Sequence, residues 1–250
     1  HLTLRHGPSL TALRNLIRES HAEAVFWNRQ YEPAHLARDR AVQQKLREEG
    51  VIAESFNASL LFEPWQILKD NGDPYRVFTP YWKACQQRGL PQAGAGMVKA
   101  LPAVPRALTS EKLASFKLLP RIPWDKGLAR TWQPGEVGAQ QLLATFLDDT
   151  LVHYSETRDI PAEPGTSRLS PALHFGEISP RQIATAVEGT IAHHHHSGLI
   201  ANAEAWLRQL VWREFAYAVL YHFPHTSDEP FDERFTRFAW ESNYTRAVSY

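Results

Sequence analysis

This sequence contains little cysteine and no excess of positive or negative charge. Its 250 residues include one cysteine, Cys85, so the chain cannot form an internal disulfide, which suits a reducing cytoplasm. Lys and Arg together number 27, as do Asp and Glu, so the formal net charge is zero. A nucleic-acid partner would therefore have to be bound by a local basic patch, because phosphates respond to nearby cations.

Long apolar runs are also missing. No stretch approaches the roughly 18 to 20 apolar residues that span a bilayer, and no basic segment followed by an apolar leader opens the sequence. We therefore expect no membrane partner, and we also expect the protein to be cytoplasmic and monomeric. The sequence begins at His1 rather than Met and ends at Tyr250 soon after an aromatic segment, so we expect a fragment with both ends cut.

The first third of the sequence alternates short apolar runs with helical spacing. Strands are predicted at residues 2–4, 24–27 and 51–53, and helices at residues 10–17 and 33–49. This order is typical of a parallel sheet with right-handed crossovers. Such sheets normally hold more strands, so residues 1–88 predict a Rossmann-like α/β domain whose first unit is missing.

The rest of the sequence shows no alternation typical of strands. Residues 89–134 are rich in proline and glycine and predict a long connector that wraps the surface. Residues 135–250 have helical spacing, with a loop expected at residues 189–198 and the longest helix at residues 202–221. The second part is therefore predicted to be all-α.

One polar motif, Gly-Thr-Ser-Arg-Leu-Ser, occupies residues 165–170. It places three hydroxyl groups and a guanidinium just before a stretch that permits a helix. Hydroxyls, free backbone N–H groups and arginine bind phosphate well. An ordinary capped turn has the same composition, and composition alone favours that simpler interpretation.

A second motif, Trp-Leu-Arg-Gln-Leu-Val-Trp-Arg-Glu-Phe, occupies residues 206–215. Trp206, Gln209 and Arg213 fall on one helix face, and Trp212 lies nearby in the sequence. A face with an indole, an amide and a guanidinium suits a flat aromatic ligand held by stacking and hydrogen bonds. An amphipathic helix that uses tryptophan as core filler explains the pattern equally well.

Taken in tandem, the two motifs resemble the DNA photolyase and cryptochrome family, most of all its bacterial class I deoxyribodipyrimidine photolyases. The resemblance extends along nearly the whole chain. Further segments that match in order and spacing are residues 28–33, 76–81, 154–161 and 173–182. The resemblance implies that residues 135–250 are the N-terminal part of an all-α FAD-binding domain, so the chain would hold roughly half of a flavin pocket.

The resemblance also implies roles for individual residues. The implied FAD contacts are Tyr154, Thr166, Ser167, Arg168, Leu169, Ser170 and Trp206. Gln209 and Trp212 are implied as catalytic residues beside the lesion. The implied DNA contacts are Arg158, Gln209, Trp212 and Arg213.

The function implied by the resemblance is light-driven repair of cyclobutane pyrimidine dimers in damaged DNA, by electron transfer from reduced FAD. The alternatives are a cryptochrome-like blue-light photoreceptor and repair of (6-4) photoproducts. Gln209 stands where many cyclobutane-dimer photolyases have glutamate, which leaves the lesion type open. Repair is favoured because Arg158 and Trp212 are lesion-side residues that a sensor does not need. Whether this stretch is active alone is left open.

A second, antenna chromophore is also compatible with the resemblance, and its identity is open. Folate is disfavoured because Ala34 and His35 replace the Asn-Glu pair of the folate-binding members. Four histidines in a row, at residues 193–196, come nearest to a metal motif. Consecutive residues rarely reach one ion, so no metal site is predicted.

Overall fold

The structure is a computed structural model that describes residues 2–94, 108–193 and 197–239. Its N-terminal part contains two strands and two helices in alternation: α1 (Ser9–Ser20), β1 (Ala24–Asn28), α2 (Pro33–Glu48) and β2 (Ile52–Phe56). The strands pair in parallel, with Val25 opposite Ala53. The predicted α/β architecture with a parallel sheet is therefore confirmed.

Local sequence explains where α2 begins and ends. Pro33 occupies the first helical turn, where its missing N–H is no loss. Gly50, just beyond the helix, has φ 82°, a left-handed conformation that lets the chain turn directly into β2. Val42 and Leu46 on α2 are buried against Ala53 of the sheet, and this small core includes half-buried residues of α1. Burial of these side chains holds α1 and α2 to the sheet.

The strand predicted at residues 2–4 is wrong. The Leu4 N–H donates to the Ser110 hydroxyl at 2.9 Å, and the Leu4 carbonyl accepts from the Glu111 N–H at 3.0 Å. The segment therefore pairs with the connector instead of entering the sheet, which has two strands within the described part of the chain. Because strand pairing depends on a distant partner, a three-residue apolar run does not reveal it.

The second part of the chain is helical, as predicted. Its elements are α3 (Phe78–Arg88), α4 (Lys126–Thr131), α5 (Glu136–Thr145), α6 (Tyr154–Thr157), α7 (Ser170–Phe175), α8 (Pro180–His193) and α9 (Ser197–His222). Between α5 and α6 the chain passes through a π-helix at Phe146–Thr150 and a 3-10 turn at Leu151–His153. In the described ranges, no helix is both long and apolar enough to cross a membrane.

The main core gathers side chains from α5, α8 and α9, and it also takes residues that precede α3. Leu61 and Phe62 are buried in this core, as are Phe78, Tyr81 and Cys85. The chain therefore joins the helical core well before residue 89. The predicted division into residues 1–88, 89–134 and 135–250 stays a prediction.

The loop predicted at residues 189–198 is wrong for residues 189–193 and 197–198, which are helical. Helix α8 continues to His193 and α9 begins at Ser197. A glycine in a helix interior is tolerated where packing supports the helix, and Ile191 packs against the main core just beyond Gly189. Residues 194–196, the last three of the histidine run, lie outside the described residues.

Shortening a buried side chain of the α/β core should destabilise the protein. Leu46 is 0% exposed, so Leu46→Ala leaves a cavity and should lower the free energy of unfolding by about 2–5 kcal/mol. The matched control is Leu119→Ala, because Leu119 is 81% exposed and its loss should change stability by less than about 0.5 kcal/mol. Urea denaturation of both variants measures the difference. Equal effects would contradict the assignment of this core.

Candidate functional site

The two motifs singled out in the sequence meet at a cleft of ≈ 280 Å³. Residues 165–170 form one side of the cleft together with the start of α7, and α9 forms the other side. The motif at residues 165–170 contributes Ser167, Leu169 and Ser170; α7 also contributes Leu173 and His174; and α9 contributes Trp206, Gln209, Leu210, Arg213 and Tyr217. The structure thus brings together segments about 40 residues apart in sequence.

Helical periodicity places the α9 residues on one face. Trp206, Gln209, Arg213 and Tyr217 are spaced by three or four residues, so their side chains stack along successive turns. The Trp206 ring is buried and packs against Phe146, with 5.0 Å between ring centroids. In the described part of the chain the Gln209 carboxamide makes no hydrogen bond to protein, so its donors and acceptor are available to a ligand.

Residues 165–170 have an unusual backbone shape that depends on Gly165. A methyl group on Gly165 would come within 2.5 Å of the Thr157 carbonyl, so glycine is needed for this close approach. Arg168 has φ 55°, a left-handed conformation that is rare outside glycine. Its guanidinium lies over Trp132 at 4.4 Å, and Leu169 is buried as an anchor. The segment is fixed before any ligand binds.

Three hydroxyl groups project from this fixed segment. Thr166 and Ser170 are exposed and Ser167 is half-buried. Among the described residues, none of these hydroxyls hydrogen-bonds to another protein atom. Hydroxyls on a fixed backbone beside an arginine are the donors that phosphate oxygens accept from. The segment can therefore bind an anionic group at the edge of the cleft.

Tyr154 and Arg158 lie behind the cleft rather than in its lining. The Tyr154 ring packs edge-on against Phe146 at 5.9 Å, and Phe146 in turn contacts Trp206. The Arg158 guanidinium lies 5.4 Å from the Tyr154 ring. Burial raises the pKa of the Tyr154 hydroxyl, and Arg158 opposes this shift. Tyr154, which the resemblance implies as an FAD contact, thus supports the cleft through its neighbour Phe146.

The irregular helix that carries Tyr154 is braced from α9. The Asn202 amide donates to the Val152 carbonyl at 2.7 Å, and its oxygen accepts from the Ser155 N–H at 2.7 Å. These bonds flank Tyr154 where the chain passes from 3-10 to α geometry. Departures from α-helical geometry recur at functional sites, and here the amide of Asn202 satisfies the backbone groups that the break leaves open.

Trp212 lies on a different face of α9. Its ring stacks on Phe78, with centroids 3.6 Å apart and an interplanar angle of 10°, and the residue remains 44% exposed. It does not line the cleft. The structure therefore brings Gln209 and Arg213 together with Trp206 but leaves Trp212 apart from them, beside the segment at residues 76–81.

Glu214 is a buried charged residue that the sequence analysis missed. Its carboxylate accepts from the Leu61 N–H at 2.8 Å and the Phe62 N–H at 3.3 Å. Burial raises the pKa of Glu214 to about 8, while Arg213 and the two N–H donors act in the opposite direction. A usable signal exists in the sequence: Glu214 continues the apolar stripe of Leu207 and Val211 at helical spacing, where a carboxylate is unexpected.

A second cleft of ≈ 300 Å³ lies at the carboxyl ends of β1 and β2. Two indoles and three guanidinium groups contribute to its lining: Trp27, Trp65, Arg29, Arg40 and Arg47. Arg29 pairs with Glu63 and lies 5.2 Å from the Trp65 ring. The sequence analysis did not single out this cleft. Within the described ranges, no group of His, Cys, Asp and Glu side chains could hold a metal ion.

Sequence comparisons relate this chain to known proteins. Residues 1–105 match the model of DNA photolyase, and residues 206–249 match that of the FAD binding domain of DNA photolyase. A deoxyribodipyrimidine photo-lyase of Agrobacterium fabrum is 42% identical over 97% of this chain and 50% of its own length. Cryptochrome-2 of Arabidopsis thaliana is 30% identical over 94% of this chain and 40% of its own length.

A solved structure extends the comparison to three dimensions. The bacterial class III photolyase from Agrobacterium tumefaciens superimposes with a TM-score of 0.91 at 40% identity, covering 99% of this chain and 51% of that one. This structure belongs to class III, whereas the sequence resemblance pointed to class I. The chain spans about half the length of these relatives, or less.

Adding a methyl group at residue 165 should disturb the segment at residues 165–170. Gly165→Ala places a new atom against the Thr157 backbone, so we expect a loss of about 1–3 kcal/mol of stability. Gly189→Ala is the matched control, because nothing lies within 4 Å of its Cβ and alanine favours the helix by up to about 1 kcal/mol. Urea denaturation compares the two. Equal stability of both variants would mean that residues 157 and 165 are not in close approach.

The buried carboxyl of Glu214 should make stability depend on pH. Its pKa in the folded protein is about 8, above the ordinary glutamate value, so its contribution is greatest at acid pH and is lost as pH rises through about 8. Glu214→Gln cannot ionise and should flatten the fall of unfolding free energy between about pH 5 and about pH 8, by up to about 1.4 kcal/mol per pH unit. Denaturant titrations across this range, with Glu204→Gln as control, measure the slopes. Identical slopes for the wild type and Glu214→Gln would show that Glu214 is already ionised at neutral pH.

Proposed function

Because the chain belongs to the DNA photolyase and cryptochrome family, we propose that it forms part of a light-driven DNA repair lyase. The activity is repair of cyclobutane pyrimidine dimers in damaged DNA, with FAD bound at the cleft between α7 and α9. One observation carries the proposal: the segment at residues 165–170 and the α9 face form a single cleft. We propose that the protein acts as a monomer in the cytoplasm.

The residues of the cleft fit FAD by their chemistry. The hydroxyls of Thr166, Ser167 and Ser170, with Arg168 beside them, would hold the pyrophosphate. The buried indole of Trp206 offers an apolar surface to a flat ring, and the buried side chain of Leu169 lines the same cleft. Tyr154 supports this wall through Phe146. These residues form one wall of a site, in accord with a chain that spans about half the length of its relatives.

When bound, FAD supplies the light-absorbing electron donor of the reaction. The chain's own part is placement and electrostatics. The Gln209 carboxamide can donate and accept hydrogen bonds without carrying charge, so it would orient a polar base edge and would not transfer a proton. The guanidinium of Arg213 keeps a positive charge at the same face. The buried ring of Trp206 excludes water from this part of the cleft.

Contacts with DNA are proposed for Arg158, Gln209, Trp212 and Arg213. The Trp212 ring is held flat by Phe78 and has 44% of its surface exposed, so a base can stack beside it. Stacking on an indole supplies about 1–3 kcal/mol per base, which helps a damaged base to leave the helix. Arg158 and Arg213 add the local cations that a chain with zero net charge needs for this partner.

A cryptochrome-like photoreceptor is the second candidate, and (6-4) photoproduct repair is the third. The photoreceptor is favoured by the cryptochrome relative. Repair is supported by the exposed Trp212 ring and by the free hydrogen-bonding groups of Gln209, which a sensor does not need. Because Gln209 carries a neutral amide, the proposal leaves the lesion type open.

A second chromophore has a candidate position in the cleft at the strand ends. The indoles of Trp27 and Trp65 could stack on a flat ring, and Arg29 and Arg40 could pair with acidic groups. The identity of this chromophore is left open, and folate remains disfavoured because of Ala34 and His35. We propose the cleft as the antenna site.

Light-driven repair is the direct test of the proposal. The protein should bind FAD, seen by flavin absorbance, and after reduction it should split a thymine dimer in an oligonucleotide under blue or near-UV light. The same mixture kept dark is the control. Flavin-loaded, reduced protein that leaves the dimer intact after illumination would refute repair and favour the photoreceptor. Splitting of a (6-4) photoproduct alone would reassign the lesion.

Two tryptophans of α9 should have separable roles. Trp206→Ala removes part of the cleft wall and should reduce FAD affinity by about fivefold to about a hundredfold, since stacking on an indole is worth about 1–3 kcal/mol. Trp212→Ala should leave FAD content nearly unchanged and weaken binding to dimer-containing DNA by about fivefold to about a hundredfold. Flavin absorbance and a gel-shift assay measure both. Loss of FAD from Trp212→Ala would place Trp212 on the flavin side.

A further inference from the structure

Residues 59–62 form a buried segment without regular secondary structure, between the sheet and the helical core. The side chains of Leu60, Leu61 and Phe62 are 1%, 0% and 4% exposed. Backbone N–H and C=O groups in such a segment are shielded from water and must find partners within the protein. Among the partners are the Asn57 side chain, which accepts from the Leu60 N–H at 2.9 Å, and ionisable side chains of α8 and α9.

Three ionisable side chains bind this segment. Glu214 accepts from the Leu61 N–H at 2.8 Å and from the Phe62 N–H at 3.3 Å. Arg181 donates to the Leu61 carbonyl through Nε and Nη2, at 3.3 Å and 3.1 Å. Arg213 donates from Nη1 to the Ser59 carbonyl at 2.5 Å. The carboxylate and the two guanidinium groups thus fix consecutive peptide groups of one segment.

Arg213 is the member of this set that reaches the cleft. Its side chain is 22% exposed and lines the cleft, and its guanidinium lies 5.0 Å from the Tyr217 ring. Within residues 2–94, 108–193 and 197–239, Nη1 is the one guanidinium atom of Arg213 that hydrogen-bonds to protein. Nε and Nη2 therefore keep their N–H donors for a ligand, while Nη1 determines where they point.

A second feature links Glu214 to Arg213. Glu214 Oε1 is buried without a hydrogen-bond partner in the described part of the protein and lies 3.6 Å from Arg213 Nη1. The other oxygen, Oε2, accepts a hydrogen bond from the Leu61 N–H, in the same segment whose Ser59 carbonyl accepts from Arg213. A buried carboxylate with one oxygen on the segment and the other facing the guanidinium restrains Arg213 from two directions. An arginine side chain otherwise has many rotamers, and ordering it reduces binding affinity.

We propose that Glu214 is a positioning residue that holds Arg213 ready for its ligand, through the segment at residues 59–62. The inference rests on the proposed function and adds to it, because Arg213 lines the cleft proposed for FAD and is assigned a contact with FAD as well as with DNA. Without Glu214 the segment loses two of its anchors, the Ser59 carbonyl shifts, and the guanidinium of Arg213 becomes mobile. FAD would then have to order the Arg213 side chain when it binds.

Two measurements on the protein test this proposal. The first is the rotation of the Arg213 guanidinium about its Nε–Cζ bond, followed by NMR of the arginine side chain without ligand. The second is the dissociation constant for FAD. The variants are Glu214→Ala, Arg213→Ala and the double variant, with Glu214→Gln as the conservative replacement that keeps an oxygen acceptor. Glu204→Ala is the control, because Glu204 lies exposed on the same helix and, among the residues that the structure describes, accepts a hydrogen bond from Gln86 alone.

Glu214→Ala should speed the rotation of Arg213 and raise the dissociation constant for FAD about tenfold. In the Arg213→Ala background it should add less than about twofold, since the residue it positions is already gone. Glu214→Gln should restore slow rotation and binding, and Glu204→Ala should change neither. An effect of Glu214→Ala on FAD that is equally large without Arg213 would overturn the proposal and make Glu214 purely structural.

The proposal can still be tested if Glu214→Ala does not fold or if the wild type binds no FAD. If Glu214→Ala does not fold, Arg181→Gln loosens the same segment from α8, and the same cycle with Arg213→Ala applies. If the wild type binds no FAD, the proposed function fails at that step, and the rotation of Arg213 alone decides the positioning role. Faster rotation in Glu214→Ala or Arg181→Gln then supports it, and unchanged rotation refutes it.

Discussion

The buried carboxylate of Glu214 is the interaction on which the helical part of this structure depends. It lies on the most central helix, α9, and accepts hydrogen bonds from the Leu61 and Phe62 N–H groups. Those groups belong to an irregular segment that has no regular partner and no access to water. Burial of an acid raises its pKa and opposes folding at high pH, so this contact is maintained against a free-energy penalty. The contact between Glu214 and the Leu61 and Phe62 N–H groups fixes the path of the chain between the sheet and the cleft.

The fixed path matters because both clefts border on it. On the sheet side, Glu63 pairs with Arg29 and accepts from the Tyr31 hydroxyl at 2.7 Å, and Arg29 lines the cleft at the strand ends. On the helical side, Arg213 donates to the Ser59 carbonyl and lines the other cleft. Five residues of chain therefore connect the cation of one cleft to the cation of the other. Rigid packing of this stretch keeps both cations in place.

Local patterns predicted the elements better than they predicted contacts. The strand at residues 24–27 and the helix from Pro33 were predicted nearly to the residue, because apolar spacing and a first-turn proline are local signals. Residues 2–4 failed because their partner, Ser110, is distant in sequence. The α9 face of Trp206, Gln209 and Arg213 followed from spacing alone, whereas its meeting with residues 165–170 came only from the family resemblance. Glu214 was missed because its partners are backbone groups in another part of the chain.

The geometry of α9 separates two roles that the sequence motif places together. Trp206 and Trp212 are six residues apart, and about 100° per residue puts their side chains about 120° apart around the helix. Trp206 consequently lines the cleft and packs against Phe146 behind it, while Trp212 stacks on Phe78 outside the cleft. Between them, Gln209 lies on the Trp206 side. A ligand that touches Trp212 need not enter the cleft, so a nucleic-acid base at Trp212 and a flavin at Trp206 would not compete for the same space. One helix can therefore serve a cofactor on one face and a second ligand on another.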